Sequence, residues 1–152
     1  DPMYAKRVRI VGRLDADTTG IILLTDDGRL NNRLTHPNRS ISKIYRVTLN
    51  HDSPEKLIEE FAKGVDIGKG EITRPAELKI VASNIAEVTL KEGKYHEIKR
   101  MFDRFDLDVI ELDRLLFGPI SYEGLKVGES RKLIHEEVEK LMELTGLDKE
   151  RL

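Results

Sequence analysis

The chain has 152 residues, 39% of them hydrophobic and 36% charged, a balance typical of one globular domain that buries a core. It lacks cysteine, which excludes disulfides and thiolate chemistry, and its four histidines are too dispersed to predict a metal site. No apolar run of about 18 residues and no secretory signal are present, so we expect a cytoplasmic protein without a membrane partner.

The net charge of −2 is unevenly distributed along the chain. Residues 1–50 carry +4 and residues 91–104 carry +2, whereas residues 51–90 carry −3 and residues 105–152 carry −5. If the fold joins the two basic segments, they would form a positive face suited to phosphates. The alternative is that both are ordinary solvated faces.

The first half of the chain predicts short strands and two helices. Residues 7–12 and 20–26 are β-branched and apolar, and the second run is apolar enough to predict a central strand buried on both faces. Residues 28–36 predict a short helix, and residues 43–50 alternate as a half-buried strand does, with Tyr45 on the apolar side. Residues 52–64 predict a helix that Ser53 caps.

The second half adds a hairpin, two helices and a strand. Strands at 77–82 and 85–93 have a tight connection, which predicts an antiparallel pair. Residues 95–105 carry an apolar stripe typical of a helix, residues 108–120 predict a strand with its exit loop, and residues 131–146 predict a terminal amphipathic helix.

These elements predict an α+β domain with a mixed, mainly antiparallel sheet and flanking helices, because several connections are too short for βαβ crossovers. We expect a single domain over residues 1–152, in which Asp1 and Pro2 precede Met3 as a remnant outside the natural chain. No P-loop or GxGxxG pattern supports nucleotide chemistry.

The segment "RLDADTTG" places Asp15 in a loop between two predicted strands. A carboxylate that acts as nucleophile or base must stay ionised when substrate excludes water, and Arg13 with the hydroxyls of Thr18 and Thr19 could favour the ionised form. The alternative is an Asx turn in which Asp15 or Asp17 only caps backbone N–H groups.

The segment "EGKYHEIKRMF" gathers cations where a helix begins. Lys94, His96, Lys99 and Arg100 fall within seven positions, and the N–H groups of a helix N-terminus also attract anions. This pattern fits a phosphate site, and it fits equally a helix with solvated charges. Tyr45 has two interpretations as well, as a core residue with a satisfied hydroxyl or as a platform on which a base stacks.

Clustered carboxylates offer a different chemistry. Asp15, Asp17, Asp26 and Asp27 could hold Mg²⁺ in a phosphodiesterase. We disfavour this interpretation because Asp26 and Asp27 resemble the polar end of a strand before a turn at Gly28. The interpretation predicts dependence on a divalent ion.

Five motifs in order resemble the catalytic domain of bacterial ribosomal-RNA pseudouridine synthases. They are "GRLDADTTGIILLTDDGRLNNRLTHP", "KIYRVTL", "RPAELKIV", "LKEGKYHEIKRMF" and "LDRLLFGPISYEGLKVGESRKL". The resemblance runs from about residue 7 to residue 134, and it covers most of the chain. It implies an isomerase that converts a selected uridine of ribosomal RNA to pseudouridine, with neither a metal nor an organic cofactor.

The resemblance also implies roles for individual residues. Asp15 matches the essential aspartate of the "GRLD" motif, which acts in breaking the C1′–N1 bond by covalent attack or by removing a ribose proton. Tyr45 matches the aromatic residue that stacks on the target uracil and acts in proton transfer. Lys99 matches the basic residue that pairs with the aspartate.

Further positions would contact the RNA. Ile98 matches an apolar residue of the uracil pocket. Arg13 matches a basic residue that lies near the flipped nucleotide. Thr19 stands at a position where the family usually has serine. Lys94, Arg100 and the basic segment 29–46 would contact phosphates.

The sequence departs from the family pattern at its start. Relatives usually carry a small RNA-binding domain, a linker and a further strand before the "GRLD" motif. Their absence would weaken target selection and could leave a sheet edge uncovered. The alternative function is therefore a noncatalytic RNA-binding module derived from the same fold. We expect a monomer in either case.

Overall fold

The computed structural model of the chain describes residues 8–36, 40–94 and 96–147. The first elements are β1 (Arg9–Val11), β2 (Thr18–Gly20), β3 (Leu23–Thr25), α1 (Gly28–Thr35), β4 (Lys43–Leu49), α2 (Lys56–Lys63), β5 (Asp66–Gly68) and β6 (Glu71–Ile72). They are followed by β7 (Glu77–Ala82), β8 (Ile85–Leu90), α3 (Glu97–Asp103), β9 (Val109–Phe117), β10 (Ile120–Ser121) and α4 (His135–Thr145).

A central sheet has the strand order β10-β9-β4-β8-β7, and every pair along this path is antiparallel. Strand β2 adds to β9 in parallel, with Thr18 opposite Leu112 and Gly20 opposite Arg114. Two small antiparallel pairs, β1-β3 and β5-β6, lie outside this sheet. The predicted α+β class with a mainly antiparallel sheet is therefore confirmed.

Strand β4 carries the alternation that its sequence predicts. Val47 and Leu49 are fully buried, and Tyr45 on the same face is half-buried against the same core cluster. Helices α2 and α3 cover this face with apolar side chains, among them Leu57, Phe61, Ile98, Met101 and Phe102. The burial of these side chains fixes α3, and with it Lys99, against the sheet.

A second core cluster joins the start of the chain to its end. It combines residues of β1, β3, α1 and α4 with Phe117 and Ile120. Arg33 of α1 donates a hydrogen bond of 2.8 Å to the backbone carbonyl of Thr145 at the end of α4. The segment that precedes the Asp15 loop is anchored in this way by the last helix.

The prediction of one central strand over residues 20–26 is wrong. This run is divided between β2, which pairs with β9, and β3, which pairs with β1. The chain changes sheets after Gly20, whose φ of +116° suits glycine. As a result Ile22 and Leu24 are 39% and 57% exposed instead of buried on both faces.

The other elements form where predicted; the strand at 77–82 has its predicted bounds and the others are shorter. The prediction that Ser53 caps the second helix is wrong. Helix α2 begins at Lys56, after Glu55, and the Ser53 hydroxyl has no hydrogen-bond partner in the described part of the chain. The terminal helix begins at His135, not at 131.

Some predictions fall on residues outside the described ones. These are Arg7 and Tyr95, the first residues of two predicted elements, residues 1–2, and residues 37–39 of the basic segment. Among the helices described, none has the length and apolar character needed to cross a membrane.

Candidate active site

The loop between β1 and β2 carries Asp15. The backbone N–H of Thr18 donates a hydrogen bond of 2.9 Å to the Asp15 carbonyl, which closes a tight turn directly before β2. Because β2 pairs with the middle of β9, the turn lies beside the central sheet. The Asp15 side chain is 34% exposed, so a ligand can reach its carboxylate.

Two nitrogen groups near the start of α3 approach the Asp15 carboxylate. Lys99 Nζ lies 3.9 Å from Oδ2, and His96 Nε2 lies 3.7 Å from Oδ1. Residue 96, which precedes the helix, has the left-handed backbone conformation with φ of 48°. The fold therefore brings together the two segments that the sequence analysis singled out, although they are far apart in the chain.

Asp17 is the closer partner of Lys99. Its Oδ1 accepts a hydrogen bond of 2.5 Å from Lys99 Nζ. This bond lowers the pKa of Asp17 below its ordinary value, and the Asp17 side chain remains 72% exposed. The lysine thus bridges two carboxylates of one loop, with its stronger contact to the more exposed one.

Tyr45 lies on the same side of the structure as Asp15. Burial of the phenol raises the pKa of Tyr45, the Arg114 guanidinium beside it acts in the opposite direction, and the negative charge of Asp15 raises the pKa further. The hydroxyl therefore lies within electrostatic reach of both charges. Of the interpretations left open by the sequence, the half-buried ring is compatible with a wall of the Asp15 site.

The sequence motifs did not single out Arg114 and Asp113 as candidate site residues. Arg114 is only 2% exposed and lies directly opposite Tyr45 on β9. A signal was present, because in the alternating run "VIELDRLLF" Arg114 shares the face of the buried Leu112. A cation on the core face of a strand is unusual enough to mark a candidate functional residue.

Asp113 accepts two hydrogen bonds that hold the Asp15 loop. The Thr19 hydroxyl donates to Oδ1 at 2.7 Å, and the Tyr122 hydroxyl donates to Oδ2 at 2.5 Å. The hydrogen bond from Tyr122 raises the pKa of that phenol. The hydroxyl of Thr19 is therefore engaged in joining β2 to β9.

The remaining site candidates differ in their surroundings. Ile98 is buried in the core cluster, and Lys94 Nζ lies 3.5 Å from a Glu92 carboxylate oxygen. Arg100 donates to the Ile67 carbonyl and to Glu71, at 3.0 Å and 2.9 Å from Nη2. Arg13 is exposed and makes no hydrogen bond or ion pair with the other described residues. Lys94 and Arg100 thus have acidic neighbours, and Arg13 is open to solvent.

Glu97, the first residue of α3, is a buried acid. One carboxylate oxygen accepts a 2.8 Å hydrogen bond from the Lys94 backbone N–H, whereas Oε2 has no partner in the part of the chain that is described. Burial, with Glu92 nearby, raises the pKa of Glu97 to about 7. This group therefore changes its charge near neutral pH, two residues before Lys99.

The four aspartates considered for Mg²⁺ do not assemble. Asp27 caps α1 by accepting hydrogen bonds of 2.9 Å and 3.1 Å from the backbone N–H groups of Arg29 and Leu30. Within residues 8–36, 40–94 and 96–147, no three His, Asp or Glu side chains are grouped so as to hold a metal ion. Asp27 therefore has a structural role at the start of the helix.

Known proteins are similar to this chain in sequence. Residues 3–104 match the family model described as RNA pseudouridylate synthase. The chain is 39% identical over 140 residues to ribosomal small subunit pseudouridine synthase A of Escherichia coli (strain K12), covering 91% of this chain and 61% of that protein. It is 40% identical over 144 residues to the protein of the same name from Haemophilus influenzae, with 93% and 62% covered.

Solved structures give the same result. The fold is similar to a crystal structure of a pseudouridylate synthase, with a TM-score of 0.89, 39% identity, and coverage of 93% of this chain and 62% of that chain. A chain of an archaeal box H/ACA sRNP complex, at 16% identity and a TM-score of 0.54, shares the fold alone. The chain spans about three fifths of the length of the curated relatives it matches. It belongs to the RNA pseudouridylate synthase family.

Proposed function

We propose that this chain isomerises a selected uridine of ribosomal RNA to pseudouridine, with Asp15 as the catalytic carboxylate. The single observation that carries the proposal is the convergence of three distant segments. Lys99 of a helix lies 3.9 Å from the carboxylate of Asp15, and Tyr45 of a strand lies within electrostatic reach of the same loop residue. The relatives named ribosomal small subunit pseudouridine synthase A support ribosomal RNA as the substrate.

The reaction breaks the C1′–N1 bond of the uridine, turns the uracil, and forms a C1′–C5 bond. C5 loses its hydrogen as a proton and N1 gains a proton, so the reaction needs neither an oxidant nor a further reactant. Asp15 acts at the ribose, by attack on C1′ or by removal of a ribose proton. Lys99 supplies a positive charge beside the carboxylate, which favours its ionised form when RNA excludes water.

The remaining candidates act on the RNA. Tyr45 stacks on the uracil and takes part in proton transfer, and Ile98 contributes an apolar surface beneath it. Arg13 contacts the flipped nucleotide, because a base paired in a helix must leave the stack before Asp15 can reach its sugar. Thr19, Lys94 and Arg100 contribute polar groups that bind the RNA backbone. We expect the protein to act in the cytoplasm, as a monomer and without a cofactor.

Tritium release tests the proposal directly. Small-subunit ribosomal RNA transcribed with [5-³H]uridine loses tritium to water only when C5 gives up its hydrogen. The parent chain and the Asp15→Asn variant are incubated with this RNA in the presence of EDTA. We expect release by the parent and none by the variant, since the amide keeps the shape of the side chain and removes its negative charge.

Asp26→Asn is the matched control, because Asp26 is an exposed carboxylate of the same segment and belongs to the Mg²⁺ interpretation. We expect it to release tritium as the parent does. Cleavage of the RNA in the presence of Mg²⁺ without tritium release, lost in EDTA and in Asp26→Asn, would support the phosphodiesterase instead. RNA binding by the parent without tritium release would support the noncatalytic module.

A further inference from the structure

Arg114 is a buried cation without a carboxylate partner among the described residues. It is the largest of the fully buried side chains, and its Nε donates a 2.9 Å hydrogen bond to the Ile21 carbonyl. Its Nη2 is buried and has no hydrogen-bond partner within the described ranges. A buried charge without a counter-ion destabilises a fold, so an arginine at this position needs a functional explanation.

A second cation, Lys43, shares the Phe117 ring with Arg114. Its guanidinium carbon lies 5.1 Å from the centre of the Phe117 ring, and Lys43 Nζ lies 5.6 Å from the same ring. Burial lowers the pKa of Lys43 and the charge of Arg114 lowers it further, whereas Glu97 and Glu92 act in the opposite direction. The aromatic face stabilises the guanidinium without neutralising it, so the positive charge remains available to a polar neighbour.

That neighbour is the hydroxyl of Tyr45. Tyr45 and Arg114 are opposite each other on the adjacent strands β4 and β9, and the nearby guanidinium opposes the rise in the pKa of Tyr45 that burial causes. A guanidinium has only donors, so in a hydrogen bond between these two side chains the phenol oxygen is the acceptor. The hydroxyl proton of Tyr45 is therefore left for a different acceptor.

Arg114 also holds the segment that follows the Asp15 loop. Its side chain donates to the Ile21 carbonyl, and its own carbonyl accepts a 2.9 Å hydrogen bond from the Ile21 N–H. Gly20 packs so closely that a Cβ there would lie 2.3 Å from the Arg114 carbonyl oxygen. One residue thus connects the strand that carries Tyr45 with the loop that carries Asp15.

We propose that Arg114 is a positioning residue that acts through Tyr45, holding the phenol oxygen as an acceptor and leaving its proton for the uracil. This inference rests on the proposed function. Tyr45 gives its hydroxyl proton to N1 of the detached and rotated uracil, and the phenolate is stabilised by the Arg114 charge. Once the C1′–C5 bond has formed, the phenolate removes the proton from C5, so that Tyr45 returns to its starting state.

The first test measures the ionisation of Tyr45 in the free protein. The chain has four tyrosines, so [¹³Cζ]tyrosine labelling gives few NMR signals, and Tyr45→Phe assigns the one of interest. In Arg114→Met we expect Tyr45 to ionise at a higher pH than in the parent, by about one pH unit or more, because a nearby positive charge favours the phenolate. Arg114→Lys, which keeps the charge, should restore much of the difference. Circular dichroism at each pH verifies that the protein is folded.

Phe117→Leu is the matched control for lost packing. It removes the ring beside Arg114 and leaves the guanidinium in place. We expect this variant to be less stable than the parent while Tyr45 ionises at the parent's pH. An unchanged or lower pH of Tyr45 ionisation in folded Arg114→Met would overturn the proposal.

The second test uses tritium release. Arg114→Met should lower kcat by about tenfold to a hundredfold with little change in KM. A loss of this size is no larger than the contribution that general acid–base catalysis usually makes to a rate. In a Tyr45→Phe background the same substitution should cause little further loss, because the group through which it acts is gone. Equal losses in both backgrounds would contradict the proposal. If Arg114→Met does not fold, the same comparison is made with Arg114→Gln, which removes the charge and keeps a polar side chain that can donate to the Ile21 carbonyl.

The two proposals fail in different ways. A parent chain that releases no tritium refutes the proposed function, while the NMR titration still tests the contact between Arg114 and Tyr45. A parent that is active, with Arg114→Met equally active, refutes only the role of Arg114.

Discussion

Lys99 Nζ lies 2.5 Å from Oδ1 of Asp17 and 3.9 Å from Oδ2 of Asp15, so the lysine forms its shorter contact with the aspartate that the family motif does not single out. Asp17 is the more exposed of the two. Its ion pair with Lys99 is therefore well solvated and contributes little to stability. The contribution of Lys99 to catalysis can therefore be tested separately from that of its ion pair with Asp17.

Lys99→Met should lower kcat for tritium release by about a hundredfold, because it removes the positive charge beside Asp15. Asp17→Asn should lower kcat by less than about tenfold, since an exposed ion pair can be replaced by water. Steady-state kinetics with the same RNA measure both effects. A loss in Asp17→Asn equal to that in Asp15→Asn would show that Asp17 belongs to the chemistry itself.

Gly20→Ala should destabilise the fold by about 2 kcal/mol or more, because the backbone has a positive φ and the new Cβ would meet Arg114 backbone atoms at 2.3 Å and 2.4 Å. Urea denaturation measures the loss in free energy of unfolding. Gly28→Ala is the matched control, since a Cβ there meets nothing within 4 Å at the first position of α1. Similar stability of the two variants would contradict the close contact between β2 and β9.

Thr19→Val should lower the free energy of unfolding by about 1 kcal/mol, because Asp113 loses a hydrogen bond of 2.7 Å in an exposed position. Thr19→Ser keeps the hydroxyl and should be close to the parent in activity. Urea denaturation and tritium release are measured on both variants. If Thr19→Ser is impaired and Thr19→Val is not, the methyl group of Thr19 matters and its hydroxyl does not.

Glu97 should make the fold less stable as pH rises from about 4.5 to about 7. Its pKa is raised from 4.5 in the unfolded chain to about 7 in the folded one. Between these two pH values the Glu97 carboxyl is therefore protonated to a greater extent in the folded state than in the unfolded state. Its unfavourable contribution is absent below the unfolded pKa and fully present above the folded pKa. Urea denaturation at a series of pH values should show that Glu97→Gln removes this part of the slope.

The control for Glu97 is Glu77→Gln, which changes an exposed carboxylate on β7. Its stability should follow the pH dependence of the parent across the same interval. A Glu97→Gln variant whose stability also follows that of the parent would show that Glu97 titrates normally. Subtracting each variant from the parent isolates the single group from all other titrations.

The sequence by itself determined the elements whose signal is local. Alternation placed Tyr45, Val47 and Leu49 on one face of β4, the apolar stripe placed Met101 and Phe102 on the buried side of α3, and the hairpin formed where its tight turn predicted it. Such patterns follow from the periods of strands and helices, which depend on neighbouring residues only. The α+β class followed from the order of these elements, and the family motifs from their residues.

The tertiary structure alone decided which side chains meet. The hydroxyl of Thr19 and its partner Asp113 are 94 residues apart in the chain, and Lys99 and Asp17 are 82 apart. The division of residues 20–26 between two sheets depended on β9, whose Arg114 binds Ile21 from the far end of the chain. Local periodicity carries no information about which strand lies alongside, because strand pairing is set by the packing of the whole core. That packing buried Arg114 beside Tyr45.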